Sequence, residues 1–312
     1  MGVTSAVIRC RDGGHTLRLA DREVVAERLL ATSRKHSFDP DVDVRWEQGF
    51  ETDRFFMPPQ AVSLYETPLW DRLSRAQQIE LSKRELASIM SYGIYAELML
   101  MQALILHSWR RPVDSQNVAY ALTEIAEECR HSMMFARLIN TMGLRTTRPP
   151  ELMYQAAKVV GGLYVPVQKF SMVLMVEETT DTLQRAIMAD DEMQPLAQEV
   201  CRIHVIEESR HIKFAREELR HQVARLSDQR RRSIALMLTS GAFELRRAMI
   251  HPSCYAGVGL DPREARRVAN HSEHRRDTLA WMFKRTMGFF DEVGLLDGPA
   301  RRIWRRTGIL PS

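Results

Sequence analysis

Apolar residues recur every three to four positions along most of this chain, which is the spacing of a helix with one buried face. No run with the alternating apolar and polar positions of a strand competes with this pattern. We therefore predict helices over residues 21–36, 74–110, 114–143, 163–189, 190–225 and 228–250, with one more from residue 261. A short helix is also predicted to start at Pro149-Pro150 and to break at Gly161-Gly162.

The predicted helices begin at residues that favour helix ends. Asp21 precedes the first helix, and Ser74, with Gln77 at the third position after it, has the pattern of a capping box. Asp190 or Asp191 is expected to cap the helix that follows them.

Residues 37–68 break the helical pattern. They combine prolines and polar residues with several aromatic side chains, among them Trp46 and Phe55. So many aromatic residues in a polar segment predict a strap packed across a helical core. We predict an N-terminal helix and strap over residues 1–68, packed on a bundle over residues 69–312, in a single domain overall.

The composition favours an all-α fold. Of the 312 residues, 45% are hydrophobic and 27% are charged, which is ordinary for a globular protein with a sizeable core. Glycine (15) and proline (13) are sparse while methionine (17) is plentiful, and this balance favours helix over strand.

The net charge of +4 comes mainly from arginines in the last residues of the chain, 301–306. Such a cluster can bind nucleic acid, but no stacking motif or glycine-rich binding loop accompanies it. We therefore predict a solvated basic tail and no nucleic-acid partner.

The cysteines and the apolar stretches bear on the compartment. The four cysteines form no C-x-x-C pair and no disulfide framework, which fits a reducing compartment. The first residues lack a signal-peptide pattern, and no stretch approaches the roughly 20 apolar residues of a membrane span. The sequence thus predicts a cytoplasmic protein without a membrane partner.

Two short motifs in the chain are nearly identical. The first motif, Glu127-Glu128-Cys129-Arg130-His131, recurs further along the chain as the second motif, Glu207-Glu208-Ser209-Arg210-His211. Each contains Glu-x-x-His, which puts a carboxylate and an imidazole on one face of a helix, one turn apart.

A further glutamate precedes each motif inside an apolar helix. Glu97 stands as far before Glu128 in the sequence as Glu177 stands before Glu208. A charge in such a helix is costly unless it is paired or bound to metal. Glu178 is the alternative to Glu177, but it lies one position too close to Glu208 and breaks the repeat. A single glutamate on one helix and Glu-x-x-His on the next, present twice, form the donor set of ferritin-like two-metal bundles.

His204 extends the second motif, because it lies on one helical stripe with Glu208 and His211. A core or surface histidine is the alternative, but the stripe already faces the predicted metal, so we predict His204 as a ligand. The matching position before the first motif is Glu124, which ranks lower as a ligand or proton carrier.

The leading glutamates of the motifs, Glu127 and Glu207, point away from the ligand stripe. Each is expected to accept the outer ring N–H of a ligand histidine on the partner helix and so to fix its tautomer. A solvated glutamate paired with Arg130 or Arg210 is an equally open alternative.

The predicted metal ligands share one repeat-based pattern and are Glu97, Glu128, His131, Glu177, His204, Glu208 and His211. Four carboxylates balance two divalent ions, and this donor set suits iron or manganese better than zinc. We predict two iron ions, with manganese as the alternative. No bound flavin or nicotinamide is predicted, since no G-x-G-x-x-G follows a strand.

The ligand pattern resembles the diiron arylamine N-oxygenase family, typified by p-aminobenzoate N-oxygenase, over roughly residues 70 to 290. The resemblance implies a ferritin-like all-α bundle with a diiron core and additional helices. It also implies O2-dependent oxidation of an aromatic amine to hydroxylamine, nitroso or nitro products, an external electron donor and a homodimer.

Tyr92 and Tyr95 lie close to Glu97 in the sequence and are candidates for the substrate pocket, with helix packing as the alternative. The main competing function is a diiron oxidase or hydroxylase that acts on a carbon substrate. An iron store is disfavoured by the length and irregularity of the chain. A purely structural bundle does not explain carboxylates at matched spacing inside apolar helices.

Overall fold

The computed structural model describes residues 6–9, 16–149, 151 and 166–310 of the 312. Most of them lie in helices, which we number in chain order. The helices are α1 (Arg22–Lys35), α2 (Pro40–Asp43), α3 (Pro68–Asp71), α4 (Arg75–Ser108), α5 (Gln116–Thr141), α6 (Pro166–Ala189), α7 (Pro195–Val223), α8 (Asp228–Ala248), α9 (Ser253–Ala256), α10 (Pro262–His271), α11 (Glu273–Glu292) and α12 (Pro299–Arg306). The predicted helix between Pro149 and Gly162 lies outside the described residues.

The all-α prediction is confirmed, with one correction near the N-terminus. Two strands, β1 (Ala6–Arg9) and β2 (Thr16–Leu19), pair antiparallel with Val7 opposite Arg18. The expectation that no strand would interrupt the helical pattern was therefore wrong. Strands this short offer too few positions for an alternating pattern to stand out against a helical one.

Helices α4 to α7 form the core of the bundle as two antiparallel hairpins. Asn117, at the start of α5, lies 2.9 Å from His107 at the end of α4, while Ser132 further along α5 reaches back to Glu97. In the second hairpin the rings of Phe170, near the start of α6, and Phe214, in the last third of α7, are 6.5 Å apart. Both motifs thus lie on the second helix of a hairpin, and each preceding glutamate lies on the first.

Two of the predicted helix starts are confirmed and a third is wrong. Asp21 caps α1, and Ser74 forms the predicted capping box with Gln77. Helix α7, however, begins at Pro195 after Gln194, not at Asp190 or Asp191. The Gln194 side chain is used elsewhere, since its Nε2 donates to the carbonyl oxygens of Glu51 and Arg54 at 2.7 and 3.0 Å.

Residues 37–68 run across several core helices. The Phe38 N–H donates to Glu207 on α7 at 3.2 Å, and the Phe56 N–H donates to Ser82 on α4 at 3.2 Å. Trp46, Phe55, Phe56 and Met57 are all buried. This strap therefore contacts both hairpins of the bundle.

The arginine-rich C-terminal residues fold into α12. The indole of Trp304 is fully buried, and Arg301 pairs with Asp291 of α11. The arginines are solvated as predicted, but they lie on a docked helix and not on a free tail, because Ala300 and Trp304 are buried on its inner side.

Among the described residues, α4 is the one helix that is long and apolar enough to cross a membrane by length and composition alone. It packs against α5 and α6, and it carries the buried carboxylates Glu85 and Glu97. In this fold α4 is therefore a core helix of the bundle.

Candidate metal centre

The structure brings the seven predicted ligands together in the middle of the bundle. All are buried, and their donor atoms form overlapping groups in which the atoms lie within 4.8 Å of one another. The groups are Glu128, His131, Glu208 and His211; Glu97, His131 and His204; and Glu177, His204 and Glu208.

The inner nitrogens of the two motif histidines face carboxylates. His131 Nδ1 lies 3.2 Å from Glu128 Oε2, and His211 Nδ1 lies 3.0 Å from Glu208 Oε2 and 2.9 Å from Glu128 Oε1. The i to i+3 spacing on a helix produces the first two contacts. Glu128 thus reaches both histidines, a position suited to a ligand shared by two metal ions.

The outer nitrogens of the same histidines cross to the opposite motif. His131 Nε2 donates to Glu207 Oε2 at 2.8 Å, and His211 Nε2 donates to Glu127 Oε2 at 2.7 Å. The leading glutamate of each motif therefore holds the histidine of the other. A neutral imidazole carries one N–H, so these bonds leave a lone pair on each Nδ1, directed at the centre.

Both leading glutamates are also paired with arginine. Arg210 donates to Glu127 Oε1 at 2.8 Å and lies 3.7 Å from Glu207 Oε1. Arg130 lies 3.9 Å from the same Glu207 oxygen. Each leading glutamate therefore both accepts from a histidine and pairs with arginine, so the two alternatives are compatible. The carboxylates are buried, however, and not solvated.

The single glutamates on α4 and α6 differ in their surroundings. Glu97 Oε2 accepts a hydrogen bond from Ser132, whereas Glu177 Oε1 is buried without a hydrogen-bond partner. The neighbouring Glu178 pairs with Arg216 instead and belongs to none of the donor groups. Geometry therefore favours Glu177 over Glu178 as a donor, as the spacing does.

His204 is a buried histidine with both ring nitrogens free of hydrogen bonds. Its Nε2 lies 3.7 Å from Glu97 Oε1, and its ring packs 4.6 Å from that of His131 and 4.8 Å from that of Phe135. Burial, and then the neighbouring His131, lower the pKa of His204 well below its usual value. A neutral imidazole with a free lone pair is the form that binds metal.

Glu124 and Tyr120 extend the centre along α5. Glu124 Oε2 and the Tyr120 hydroxyl are buried without partners, and the Tyr120 ring lies 4.8 Å from that of Phe214. Sequence reasoning missed Tyr120, although it lies on the stripe of Glu124, Glu128 and His131 at helical spacing. No residue in the second motif matches it, so the repeat gave no signal.

The unpartnered atoms provide a test of whether a metal fits. Buried atoms without a hydrogen-bond partner converge here from both hairpins, and they are Glu97 Oε1, Glu177 Oε1, Glu208 Oε1 and both nitrogens of His204. Burying such groups unpaired costs free energy, and the Nδ1 lone pairs face carboxylate oxygens. A cation between them satisfies both kinds of donor, so the residues fit a metal centre.

Burial, and then neighbouring charges, raise the pKa of several carboxyls in the cluster. Burial, and then Glu128, raise the pKa of Glu97 to about 8, while burial raises that of Glu208 to about 7 against the opposing effect of His211. Burial and neighbouring carboxylates also raise the pKa of Glu177 and of Glu124 well above the usual value. Without cations the cluster therefore retains protons at neutral pH.

The pKa values of the two motif histidines are also raised. Burial acts to lower the pKa of His131, but its bonds to Glu128 and Glu207 outweigh burial and raise the pKa to about 10. The pKa of His211 is raised well above its usual value despite burial, chiefly by Glu128. Protons here occupy the positions between Nδ1 and carboxylate oxygens that a metal ion would take.

The two candidate pocket tyrosines, which precede Glu97 on α4, line a cavity of about 270 Å³. Burial, and then Glu244 and Glu177, raise the pKa of Tyr92 to about 12, so Tyr92 lies within electrostatic reach of the cluster. Tyr95, Arg148, Arg247 and Arg266 line the same cavity. Sequence reasoning did not single out these three arginines, which lie far apart along the chain.

Comparison with known proteins agrees with this geometry. The sequence model of the family described as P-aminobenzoate N-oxygenase AurF matches residues 20–294. The chain is also 30% identical over 290 residues to the uncharacterized protein MT0908 of Mycobacterium tuberculosis and to the uncharacterized protein Mb0909 of Mycobacterium bovis. Each alignment covers 89% of this chain and 85% of the relative. The chain is a member of the p-aminobenzoate N-oxygenase AurF family, a family of diiron ferritin-like proteins.

Proposed function

We propose that the protein is an O2-dependent diiron N-oxygenase, a monooxygenase-type enzyme that oxidises an aromatic amine to a hydroxylamine, nitroso or nitro product. The observation that carries the proposal is the buried cluster of carboxylate and imidazole donors, with unpartnered oxygens and nitrogens facing one another, in a chain of this family.

Two iron ions, or manganese in their place, would be held by the seven predicted ligands. Glu128 and Glu208 would hold metal together with both motif histidines, with which they form one donor group. When bound in the reduced state, such a metal pair supplies the chemistry that activates dioxygen for transfer to a nucleophilic nitrogen. The electrons come from an external donor.

The protein's own contribution is to fix the donors before metal binds. Glu127 and Glu207 hold the outer N–H of the two histidines, so that metal binding needs only the loss of the inner Nδ1 proton to leave a lone pair facing inward. Arg210 and Arg130 offset the charge of these two glutamates. The centre therefore does not need to reorganise its histidines on loading.

The cavity beside Tyr92 and Tyr95 is the candidate substrate site. Arginines 148, 247 and 266 can bind an anionic group on the substrate through charge-assisted hydrogen bonds. Among the lining residues, Tyr92 is within electrostatic reach of Glu177. An aromatic amine with a carboxylate opposite its amine would thus point the amine at the centre.

A larger cavity of about 550 Å³ lies between the strap and α5 and is a weaker candidate. Its lining residues Phe38 and Arg130 both contact Glu207 Oε1, and Glu207 holds the outer nitrogen of His131. A molecule in this cavity would therefore meet the rear of a ligand histidine and not the inward-facing donors.

The homodimer remains part of the proposal, and an apolar face supports it. The last residues of α4 and its C-cap, residues 98–109, contain no charged side chain, and Leu98, Ile105 and Trp109 are exposed there. Leu122 and Met133 are further exposed apolar side chains on the neighbouring helix α5. A second copy offers a matching face under twofold symmetry.

The dimer is tested by Trp109→Glu, which should convert a dimer to a monomer in light scattering after gel filtration. Trp281→Glu, at an exposed tryptophan on α11, is the control and should leave the dimer intact.

The function is tested by reducing the iron-loaded protein, adding oxygen and 4-aminobenzoate, and analysing the products by mass spectrometry. We expect hydroxylamino-, nitroso- or nitrobenzoate. Oxidation of a carbon substrate, with no nitrogen oxidation across a panel of arylamines, would instead identify a diiron hydroxylase or oxidase.

The substrate site is tested by Arg247→Ala. It should raise the KM for 4-aminobenzoate more than that for aniline, because aniline lacks the carboxylate. Equal effects on the two amines would remove the arginines from substrate recognition. Arg263→Ala, on α10 and outside the lining of the cavity, is the matched control.

A further inference from the structure

The two halves of the proposed diiron centre repeat at a constant interval along the chain, and the places where the repeat fails are informative. Five positions match, and the pairs are Glu97 and Glu177, Glu127 and Glu207, Glu128 and Glu208, Arg130 and Arg210, and His131 and His211. The contacts match as well, since each leading glutamate holds the opposite histidine. Against this background, Ser132 stands where the second half has Ile212.

Ser132 is directed at a proposed ligand. Its hydroxyl donates to Glu97 Oε2 across the α4–α5 interface. Ile212, at the matching position, is a buried aliphatic residue and has no hydrogen to donate. Among the described residues, no side chain or backbone group donates to the Glu177 carboxylate, so only one of the two single glutamates is held.

The direction of the Ser132 hydroxyl is not the usual one for a helix. Hydroxyls inside helices commonly bond to the carbonyl one turn earlier. Elsewhere on α5 they do so, with Thr123 bonded to the Ala119 oxygen at 3.0 Å and Thr141 to the Arg137 oxygen at 2.9 Å. Ser132 leaves its own helix to reach Glu97, which indicates a role in holding that carboxylate.

The hydrogen bond from Ser132 gives the two oxygens of Glu97 different roles. With Oε2 engaged by Ser132, Oε1 is the free oxygen, and it lies 3.7 Å from His204 Nε2, inside a proposed donor group. Glu97 is therefore prepared to bind metal through one oxygen. Glu177 receives no such bond from the described residues, so it can use either oxygen or both.

We propose that Ser132 is a positioning residue that fixes Glu97 and so makes the two metal positions inequivalent. The proposal rests on the diiron centre proposed above. The metal position served by Glu97 has a fixed carboxylate ligand, and the one served by Glu177 has a carboxylate that can change its mode of binding.

Three variants test this proposal. Ser132→Ala removes the hydroxyl, Ser132→Thr keeps it, and Ser132→Val matches threonine in size without it. Thr123→Val is the control, because it removes a hydroxyl from the same helix that bonds only to its own backbone. Circular dichroism of the metal-free proteins should be alike for all of them, which shows that each variant is folded.

The readout is anaerobic loading with 57Fe(II), followed by equilibrium dialysis and Mössbauer spectroscopy. In Ser132→Ala and Ser132→Val we expect one of two binding steps to weaken by about 10- to 100-fold and one of two quadrupole doublets to shift. Ser132→Thr and Thr123→Val should behave as wild type.

Unchanged affinities and doublets in Ser132→Ala would overturn the proposal, as would equal weakening of both binding steps. In either case wild type still binds two iron ions, so the diiron centre itself would stand. Failure of the wild-type protein to bind iron would instead contradict the proposed function, and the two failures are thereby distinguished.

Discussion

Two buried carboxylates on the same helix, Glu85 and Glu97, have opposite surroundings. Glu85 accepts hydrogen bonds from the N–H of Ser63, at 2.8 Å, and from its hydroxyl, which also lies 2.9 Å from the Tyr255 hydroxyl. Glu97 has one oxygen without a partner, among other unpartnered donors. A buried carboxylate whose oxygens both accept hydrogen bonds stabilises the fold. A buried carboxylate with an unpartnered oxygen, close to other unpartnered donors, indicates a metal ligand.

The two carboxylates differ in their hydrogen bonds and not in their burial, because both side chains are almost fully removed from solvent. The Glu85 cluster ties the strap through Ser63, helix α4 and helix α9 through Tyr255. The Glu97 cluster joins the two hairpins through atoms that need a further partner. Variants at the two positions should therefore fail in different ways.

The largest expected effect is the loss of iron from Glu128→Ala. Wild type should bind about two iron ions per chain. The variant should retain less than about half of that, since Glu128 lies within 3.2 Å of both motif histidines. Elemental analysis after anaerobic reconstitution measures this. Glu85→Gln is the matched control and should keep its iron, whereas full iron in Glu128→Ala would contradict the assignment.

The next effect is a loss of stability in Glu85→Ala without loss of iron. The change leaves the Ser63 N–H and hydroxyl buried without their acceptor, at about 1–3 kcal/mol for each unsatisfied group. Urea unfolding of the metal-free protein, compared with wild type, measures the difference. A stable variant with reduced iron would mean that the two clusters do not have separate roles.

A smaller effect is expected from Glu127→Gln, which weakens the hold on His211 and removes the charge that pairs with Arg210. Metal affinity should fall by about 10- to 100-fold, the usual cost of losing a partner of a ligand histidine. Competition with a chelator gives the affinity. Glu217→Gln, at a partly buried salt bridge on the same helix as His211, should leave it unchanged; equal losses would reveal a general charge effect.

The smallest effect concerns pH and belongs to Glu85. Burial raises its pKa from the ordinary 4.5, against the opposing effect of Arg275. Since the folded state then binds the proton more tightly than the unfolded one, this carboxyl should lower stability as pH rises above about 4.5. The free energy of unfolding of wild type, relative to that of Glu85→Gln, should therefore fall as the pH rises from 4. Urea unfolding of both proteins at each pH measures this difference. A gap independent of pH would show that Glu85 has an ordinary pKa.

The two clusters also differ in how far the sequence predicts them. The donors around Glu97 were predicted because each half of the centre uses spacings within a helix hairpin, and the chain repeats those spacings in its second hairpin. The Glu85 cluster has no repeat, and it depends on Tyr255, which lies 192 residues from Ser63. Helix periodicity carries no information about contacts of that range.

Other features escaped prediction for the same reason. Gln194 lies directly before α7, and its side chain does not cap the helix but holds the backbone of the strap at Glu51 and Arg54, far away in the sequence. Tyr120 has a place on the ligand stripe but no counterpart in the second motif. The repeat also predicts that Ser132 and Ile212 are equivalent, and only the three-dimensional contact with Glu97 distinguishes them.

The central claim is that the seven donors hold two metal ions between the hairpins. Anomalous diffraction at the iron edge, from crystals of the anaerobically loaded protein, tests it directly. We predict two iron peaks enclosed by Glu97, Glu128, His131, Glu177, His204, Glu208 and His211, with Glu85 remote from both. Iron bound elsewhere, or none bound at these residues in loaded crystals, would contradict the account.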